Sequence, residues 1–195
     1  MRSWASARPE GKAMLPVLRT ERLTLRLVEP DEAEKVVRYL VRNREHLRPW
    51  EPRRRPEYYT LPMWRHTPQI ERRQAHEGIG FRFRILVTGG DGEFAGVVAL
   101  RDVAYGSLRS ATLGYSMDAG QTGLGYAKEA IQAVLEFAFG ELRLKRLQAT
   151  VMPHNERSRR LLASLGFECE GVLRQFLEIE GIWRDHEIWS RLANP

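Results

Sequence analysis

From residue 81 onward the chain alternates apolar and polar positions in short runs. "FRFRILV" (81–87), "EFAGVVALRDV" (93–103) and "SATLGYSM" (110–117) read as strands and are separated by the turns "GGDG" and the stretch around Gly106. The pattern predicts three strands in an antiparallel meander. Between 127 and 138 the period changes. Ala127, Ala130, Ile131, Val134, Leu135 and Ala138 recur at spacings of three and four, one apolar stripe of a helix. A strand over "KRLQATVM" (145–152), a helix over "NERSRRLLASL" (155–165) ended by Gly166, and two strands (167–179 and 182–192) joined at Glu180 and Gly181 complete the second half.

The first half has weaker signals. "RTERLTLRLV" (19–28) places Leu23, Leu25 and Leu27 in alternation and predicts one strand, ended by Pro30. "DEAEKVVRYLVRNREHL" (31–47) has acids in its first turn and apolar residues at 36, 37, 40 and 41, a helix suited to its dipole. Residues 48–63 hold four prolines and form a shaped loop. Thr67 as N-cap and Pro68 as first helical residue open a further helix through 77. The order β-α-α-β-β-β-α-β-α-β-β predicts a single α/β (α+β) domain. Its mixed, mostly antiparallel sheet is flanked by helices, with one central parallel pair where the strand at 110–117 crosses over to the strand at 145–152.

The 195 residues suit one such domain, expected over 18–195 behind a flexible leader, 1–17, that lacks the apolar core of a signal peptide. No stretch is long and apolar enough to span a membrane, so no membrane role is expected. The lone cysteine, Cys169, forms no intramolecular disulfide, suits a reducing cytoplasm, and is expected as a small core or strand residue. No His/Cys spacing suggests a metal site. A formal charge of +6 favours polyanionic company such as nucleic acid, the ribosome or a phosphate-rich cofactor.

Two stretches carry candidate chemistry. In "QTGLGYA" (121–127), Gly123 and Gly125 stand where a strand feeds a helix whose first amides lack internal partners. A loop bare of side chains lets an anion reach those amides, although a simple tight turn would also use glycine. The run is neither a phosphate-binding Walker loop nor a dinucleotide fingerprint, since the lysine and the third glycine are absent. In "MPHNERSRRLLASLGF" (152–167), Asn155 is a natural N-cap and Ser158 falls one turn in. Both helices begin at the carboxyl ends of neighbouring parallel strands, where ligands of such sheets bind.

Together these stretches resemble the GCN5-related N-acetyltransferase (GNAT) superfamily. "TGLGYA" is similar to its pyrophosphate loop, Q/R-x-x-G-x-G/A, and "NERSRRLLASLGFECEG" to its following N-x-x-S/A helix and G-F-x-x-x-G. "TERLTLRLV", "NREHLRPWEP", "LGYSM", "VMPHNERS" and "GIWRDH" further resemble the RimJ/RimL branch, which acetylates ribosomal-protein N-termini, over residues 19–191.

The resemblance implies an acetyl-CoA-dependent transferase without a metal, its acceptor a protein N-terminus, most plausibly of an alanine-starting ribosomal protein. It implies pyrophosphate on Gly123, Leu124, Gly125, Tyr126 and Ala127, pantetheine along Tyr115, Ser116 and Met117, and Asn155 and Ser158 beside the thioester, with Ser158 serving the leaving sulfur. Thr122 departs from the family's Gln or Arg and shortens one polar contact.

On the acceptor side the residues offer Glu51 in "PWEP" for the amine, the aromatics Trp50, Tyr58, Tyr59 and Trp183 for an extended peptide, and, less strongly, Asp185 and His186. Each has an ordinary structural reading as well. The arginines 53–55 suit a solvated loop or a ribosome contact. A polyamine or aminoglycoside acceptor, or a non-catalytic ribosome- or RNA-binding module, are the alternatives, and both monomer and homodimer stay open.

Overall fold

The computed structural model describes residues 15–193; most of the predicted leader lies outside them. The strand expected over 19–28 is instead a hairpin. β1 (Val17–Arg19) pairs antiparallel with β2 (Leu23–Arg26), which places Leu18 opposite Leu25. The reversal is made by Thr20, whose hydroxyl accepts from the Leu23 amide at 3.0 Å and whose own amide donates to the Leu23 carbonyl at 2.9 Å. β2 still alternates as the pattern requires, with Leu23 and Leu25 buried.

The next helix breaks in the middle of its expected span. α1 (Ala33–Arg42) stops at Asn43, whose buried side chain donates to the Tyr39 carbonyl at 2.9 Å and so competes with the helical ladder. α2 (Arg44–Leu47) is a single further turn. The proline-rich segment then runs through 3₁₀ turns at Arg48–Trp50 and Pro56–Tyr59 and a short α3 (Leu61–Trp64). In α4 (Thr67–Glu77), Thr67 is the first helical residue and not the cap, which is His66 without a side-chain hydrogen bond.

β3 (Phe81–Val87), β4 (Gly96–Ala104) and β5 (Ser110–Met117) form the predicted meander. α5 (Tyr126–Glu136) continues into a π turn, Phe137–Glu141, and is followed by β6 (Arg146–Val151), α6 (Glu156–Ser164), β7 (Glu168–Ile179) and β8 (Ile182–Leu192). The eight strands lie in the order β1-β2-β3-β4-β5-β6-β8-β7, antiparallel except for β5 and β6. Cys169 lies on β7, so of the two expected placements, core or strand, it takes the strand, with its side chain exposed.

The sheet is covered on both faces. On one, Phe81, Phe83, Ile85, Val98, Leu100 and Leu113 pack with the α5 stripe Ala130, Ile131, Val134 and Leu135 and with Leu162 of α6. On the other, Val36 and Tyr39 of α1 and Trp64 of α3 pack with Val28 and Phe94. The intervening strand positions alternate onto this second face, which Arg82, Arg84, Val97, Ala99, Arg101, Gly114 and Ser116 share by register.

One irregularity creates the site. β5 and β6 pair only where Ser110, Ala111 and Thr112 face Arg146, Leu147 and Gln148. Beyond Thr112 the two strands part, although β5 stays bonded to β4 through Met117 and β6 to β8 through Val151. The backbone edge of residues 113–117 that faces β6 is therefore unpaired, an open template for a partner with its own donors and acceptors.

Candidate active site

The split between β5 and β6 opens into a cavity of about 890 Å³. Tyr115, Ser116, Met117 and Thr122 line it from β5 and the turn beyond; Asn155, Arg157 and Ser158 line it from the start of α6. The cavity is lined as well by Tyr39 of α1, by Trp50, Glu51 and Tyr58 of the proline-rich segment, and by Arg82, Arg84 and Arg101 on the sheet face that Ser116 shares. The turn from Gly123 to Ala127 lies next to this lining, not in it.

Both glycines of that turn have φ +82, a left-handed conformation that a side chain strains. Gly125 caps α5 without any side-chain hydrogen bond, which leaves the first-turn amides of an 11-residue helix with no side-chain partner. A Cβ at Gly123 would meet nothing within 4 Å, so the loop is open where it faces solvent. This bare, dipole-favoured amide cradle fits a phosphate group.

The hairpin that the sequence reading missed holds the cradle. Arg22 donates to the Leu124 carbonyl at 3.1 Å, lies 4.8 Å over the Tyr126 ring, and pairs with Glu129 of α5 at 2.6 Å. Thr20 donates to the same Glu129 at 2.6 Å. Thr122 turns its hydroxyl back to the Ala119 carbonyl at 2.9 Å and so closes the preceding 3₁₀ turn, Ala119–Gln121.

At the other end of that turn, Asp118 accepts from Arg42 at 2.6 Å, from Asn43 at 2.8 Å and from the Gly120 amide at 2.9 Å, while the Asn43 carbonyl oxygen accepts from the Ala119 amide at 2.8 Å. Burial alone would raise the Asp118 carboxyl. The bonds from Asn43, Arg42 and Gly120 outweigh it and leave the carboxyl below its ordinary value. The break in α1 thus has a purpose: Asn43 ties that helix to the end of β5.

Asn155 caps α6 as predicted, with its Oδ1 accepting from the Ser158 amide at 3.1 Å. That fixes Ser158, whose Oγ lies 2.6 Å from the Tyr115 hydroxyl across the split. Burial pushes the Tyr115 phenol up to about 12, against the lowering effect of the Ser158 bond, so the phenol stays protonated at any physiological pH. Two neutral hydroxyls in contact can pass a hydrogen bond to a third atom that gains charge. Ser116, one residue on, bonds Tyr39 at 2.9 Å.

Glu51 lines the cavity from the proline-rich segment. Burial raises its carboxyl above the ordinary value, and Arg54 and Arg82 draw it back only in part. Of the aromatics expected beside it, Trp50 and Tyr58 reach the cavity, Trp50 packed 5.6 Å from His154 and Tyr58 edge-on to Trp64 at 5.1 Å. Tyr59 instead packs under Arg44, and Trp183 is exposed away from the cavity. Asp185 and His186 part company. Asp185 accepts from the Gln175 amide at 2.8 Å in the β7–β8 hairpin, outside the cavity, whereas buried His186 lines it, edge-on to Phe176. Arg54 lines the cavity while Arg53 and Arg55 point to solvent. Tyr39, Arg82, Arg84 and Arg101 were not anticipated; in the sequence they are merely the polar half of an alternating strand or the inner face of a helix.

The split between the parallel strands, the glycine cradle and the capped serine helix together define a class. The acetyltransferase (GNAT) domain model matches residues 22–168, and the chain belongs to this family. It is an acetyl-CoA-dependent N-acetyltransferase, close to the RimJ ribosomal-protein acetyltransferases. Among its relatives, the [Ribosomal protein uS5]-alanine N-acetyltransferase of Escherichia coli (strain K12) is 36% identical over 178 residues, 91% of each chain. The ribosomal-protein-S5-alanine acetyltransferase of Vibrio fischeri superposes with a TM-score of 0.87 at 28% identity, over 92% of this chain and 97% of that one. The Mycobacterium smegmatis RimJ, solved in complex with CoA-disulfide, gives 0.82 at 34% identity, over 91% and 86%.

Among the described residues, no helix is long and apolar enough to cross a membrane, and no group of three or more His, Cys, Asp or Glu could hold a metal ion.

Proposed function

We propose that this enzyme delivers acetyl to the N-terminal α-amino group of a protein, most directly an alanine-starting ribosomal protein, and acts in the cytoplasm. The observation that carries the reading is the single cavity that joins the Tyr115–Ser158 pair to Glu51, Trp50 and Tyr58, with room for the first residues of an extended chain. The names of the relatives from E. coli and V. fischeri point the same way.

In this reading Gly123, Leu124, Gly125, Tyr126 and Ala127 receive the pyrophosphate of acetyl-CoA on their amides. Thr122 flanks it with less reach than a Gln or Arg would have. The unpaired edge of Tyr115, Ser116 and Met117 binds the pantetheine arm as an added strand, and its amides polarise the thioester carbonyl. Glu51 receives the incoming ammonium and orients it. An α-amino group titrates near ~7.7 to 8.0, so a useful fraction is neutral at pH 7 once its proton passes to Glu51 or water. The neutral nitrogen attacks the carbonyl carbon and the new C–N bond forms; as the C–S bond breaks, the nitrogen's surplus proton passes by way of Ser158 or water to the sulfur, and coenzyme A leaves as the thiol. Ser158, fixed by Asn155 and backed by Tyr115, donates to the departing sulfur.

A polyamine or aminoglycoside would have to enter a cavity lined by Arg54, Arg82, Arg84, Arg101 and Arg157, which repels polycations. The exposed Arg53 and Arg55 suit contact with the ribosome. The test is mass spectrometry after incubation with acetyl-CoA, comparing an Ala-starting peptide, the same peptide with a blocked N-terminus, and spermidine. Acetylation of the free peptide alone is expected; acetylation of spermidine in preference to it overturns the reading.

A further inference from the structure

We propose that Arg82, Arg84 and Arg101 form a carboxylate-binding subsite on the acceptor side, which selects protein N-termini carrying Asp or Glu in the positions just behind the amine. This rests on the reading of the acceptor as a protein N-terminus and names its chemistry more closely.

The three arginines share one face of β3 and β4. Arg82 stands opposite Ala99, Arg84 opposite Val97, and Arg101 two residues beyond Ala99 on the same strand; all three line the cavity. Their charge is not neutralised. Arg82 and Arg84 share one carboxylate, Glu71, at 3.3 and 3.0 Å. Arg84 is 2% exposed, yet its buried Nη1 has no hydrogen-bond partner. A buried donor left unmade is costly, and the residue that carries it lines the cavity with its guanidinium 5.9 Å from the Phe94 ring.

Arg101 supplies the second, independent sign. It is exposed and, among the described residues, has no hydrogen-bond or ion-pair partner, so its guanidinium is free to meet an anion in the cavity. Its guanidinium lies flat across Gly114 of β5, where an added Cβ would come within 3.2 Å of Nη2. Glycine at 114 therefore leaves the space that the guanidinium occupies. Immediately after Arg101 the β4–β5 register shifts and Asp102 takes φ +52, a bulge of the kind that re-aims a side chain at a sheet end. Bracing Glu71 would account for Arg82 and Arg84 but gives Arg101 nothing to do.

The ligand that suits this wall carries two charges apart from each other: an amine near Glu51 and a carboxylate for the guanidinium forks, which bind planar anions in pairs of hydrogen bonds. Successive residues of an extended chain are about 3.3 to 3.6 Å apart, so the second and third positions are where an acidic side chain stays within a few residues of the amine.

The test uses three Ala-starting peptides that differ only in Glu, Gln or Lys at positions two and three, at saturating acetyl-CoA, with the wild type, Arg101→Gln and Arg101→Lys. In the wild type, Glu should exceed Gln by about tenfold in kcat/KM, through KM, with Lys lowest and the advantage shrinking in high salt. Arg101→Gln should narrow the Glu-to-Gln ratio to within about twofold, and Arg101→Lys should restore part of it. Equal Glu and Gln peptides in the wild type, or an unchanged ratio in Arg101→Gln, overturns the subsite while leaving the N-terminal acceptor standing. If none of the peptides is acetylated, the acceptor reading fails instead, and calorimetry of the Glu and Gln peptides on CoA-bound enzyme still decides the subsite: equal binding, or none, overturns it.

Discussion

The hydroxyls of Tyr115 on β5 and Ser158 on α6 lie 2.6 Å apart across the split between the parallel strands, 43 residues from each other in the chain. Each holds the other's rotor, so the pair presents one oriented donor to whatever sits in the split. Because that interaction grows as sulfur gains charge, Ser158→Ala should cost more in turnover than in binding. We expect kcat to fall by about 10- to 100-fold with the acetyl-CoA Kd changed by less than about threefold. Tyr115→Phe should lose less, and its pH profile between about pH 6 and 9 should keep the wild-type shape, because a phenol raised to about 12 does not titrate there. Stopped assays across pH with calorimetry for Kd check both; equal losses in kcat and binding would take Ser158 out of the chemistry.

Gly125 tests the cradle. With φ +82, and Arg22 Nη2 only 3.3 Å from where a Cβ would stand, Gly125→Val meets both backbone strain and a steric neighbour. The strain alone should cost about 1 to 2 kcal/mol of stability, read as a lower urea midpoint. Acetyl-CoA affinity, measured by calorimetry at a temperature where the variant stays folded, should fall by at least about tenfold. Unchanged affinity would make the turn only a turn.

How much of this was legible in the sequence follows from how local each signal is. β3, β5 and β8 begin and end where the period-two runs do, because turn residues bound each run and one face of each strand must be buried. The glycine turn and the Asn155 cap were readable for the same reason: their geometry is set within a few residues. The hairpin at 17–26 was not, since alternation ran on through a reversal made by the Thr20 side chain without Gly or Pro. Nor was the end of α1, where a tertiary demand on Asn43 overrides a continuous helical pattern. Tyr39, Arg84 and Arg101 meet Glu51 and Ser116 only because three strands and a helix fold onto one face. No window of sequence contains that convergence.

Asp118 links this architecture to pH. Its folded-state carboxyl is lowered relative to the unfolded chain, so its contribution to stability is present in full above the ordinary Asp value and is lost as pH falls through the lower folded value. Asp118→Ala should therefore cost about 1 to 3 kcal/mol at pH 7, since it strands the buried amide donor of Asn43 and frees the half-exposed Arg42. The difference from wild type should shrink as urea melts are repeated at falling pH below about 4. A gap that stays constant to pH 2.5 would mean that the charge of Asp118 plays no part.

Glu51 carries the last prediction. Among the described residues it is the one carboxylate lining the cavity, raised by burial but in the field of Arg54 and Arg82. Those arginines repel an ammonium, and Glu51 offsets that repulsion for an N-terminal amine. The side chain sits on extended backbone between the turn Arg48–Trp50 and Pro52, a placement that the neighbouring proline stiffens. Glu51→Gln keeps the shape and removes the charge. With an Ala-starting peptide we expect KM to rise or kcat to fall by about tenfold, one charge-assisted contact being worth roughly 1.4 kcal/mol or more. Acetyl-CoA affinity should stay within about twofold, because Glu51 belongs to the proline-rich segment and not to the glycine turn or the Ser158 helix. The balance between the two losses separates the roles of Glu51. A loss confined to KM identifies it as the group that receives the ammonium, and a loss in kcat that grows below about pH 8, where the amine is protonated, identifies it as the group that takes the proton. A fully active variant would move the acceptor role elsewhere in the lining, to one of its two histidines, His186 of β8 or His46 of α2.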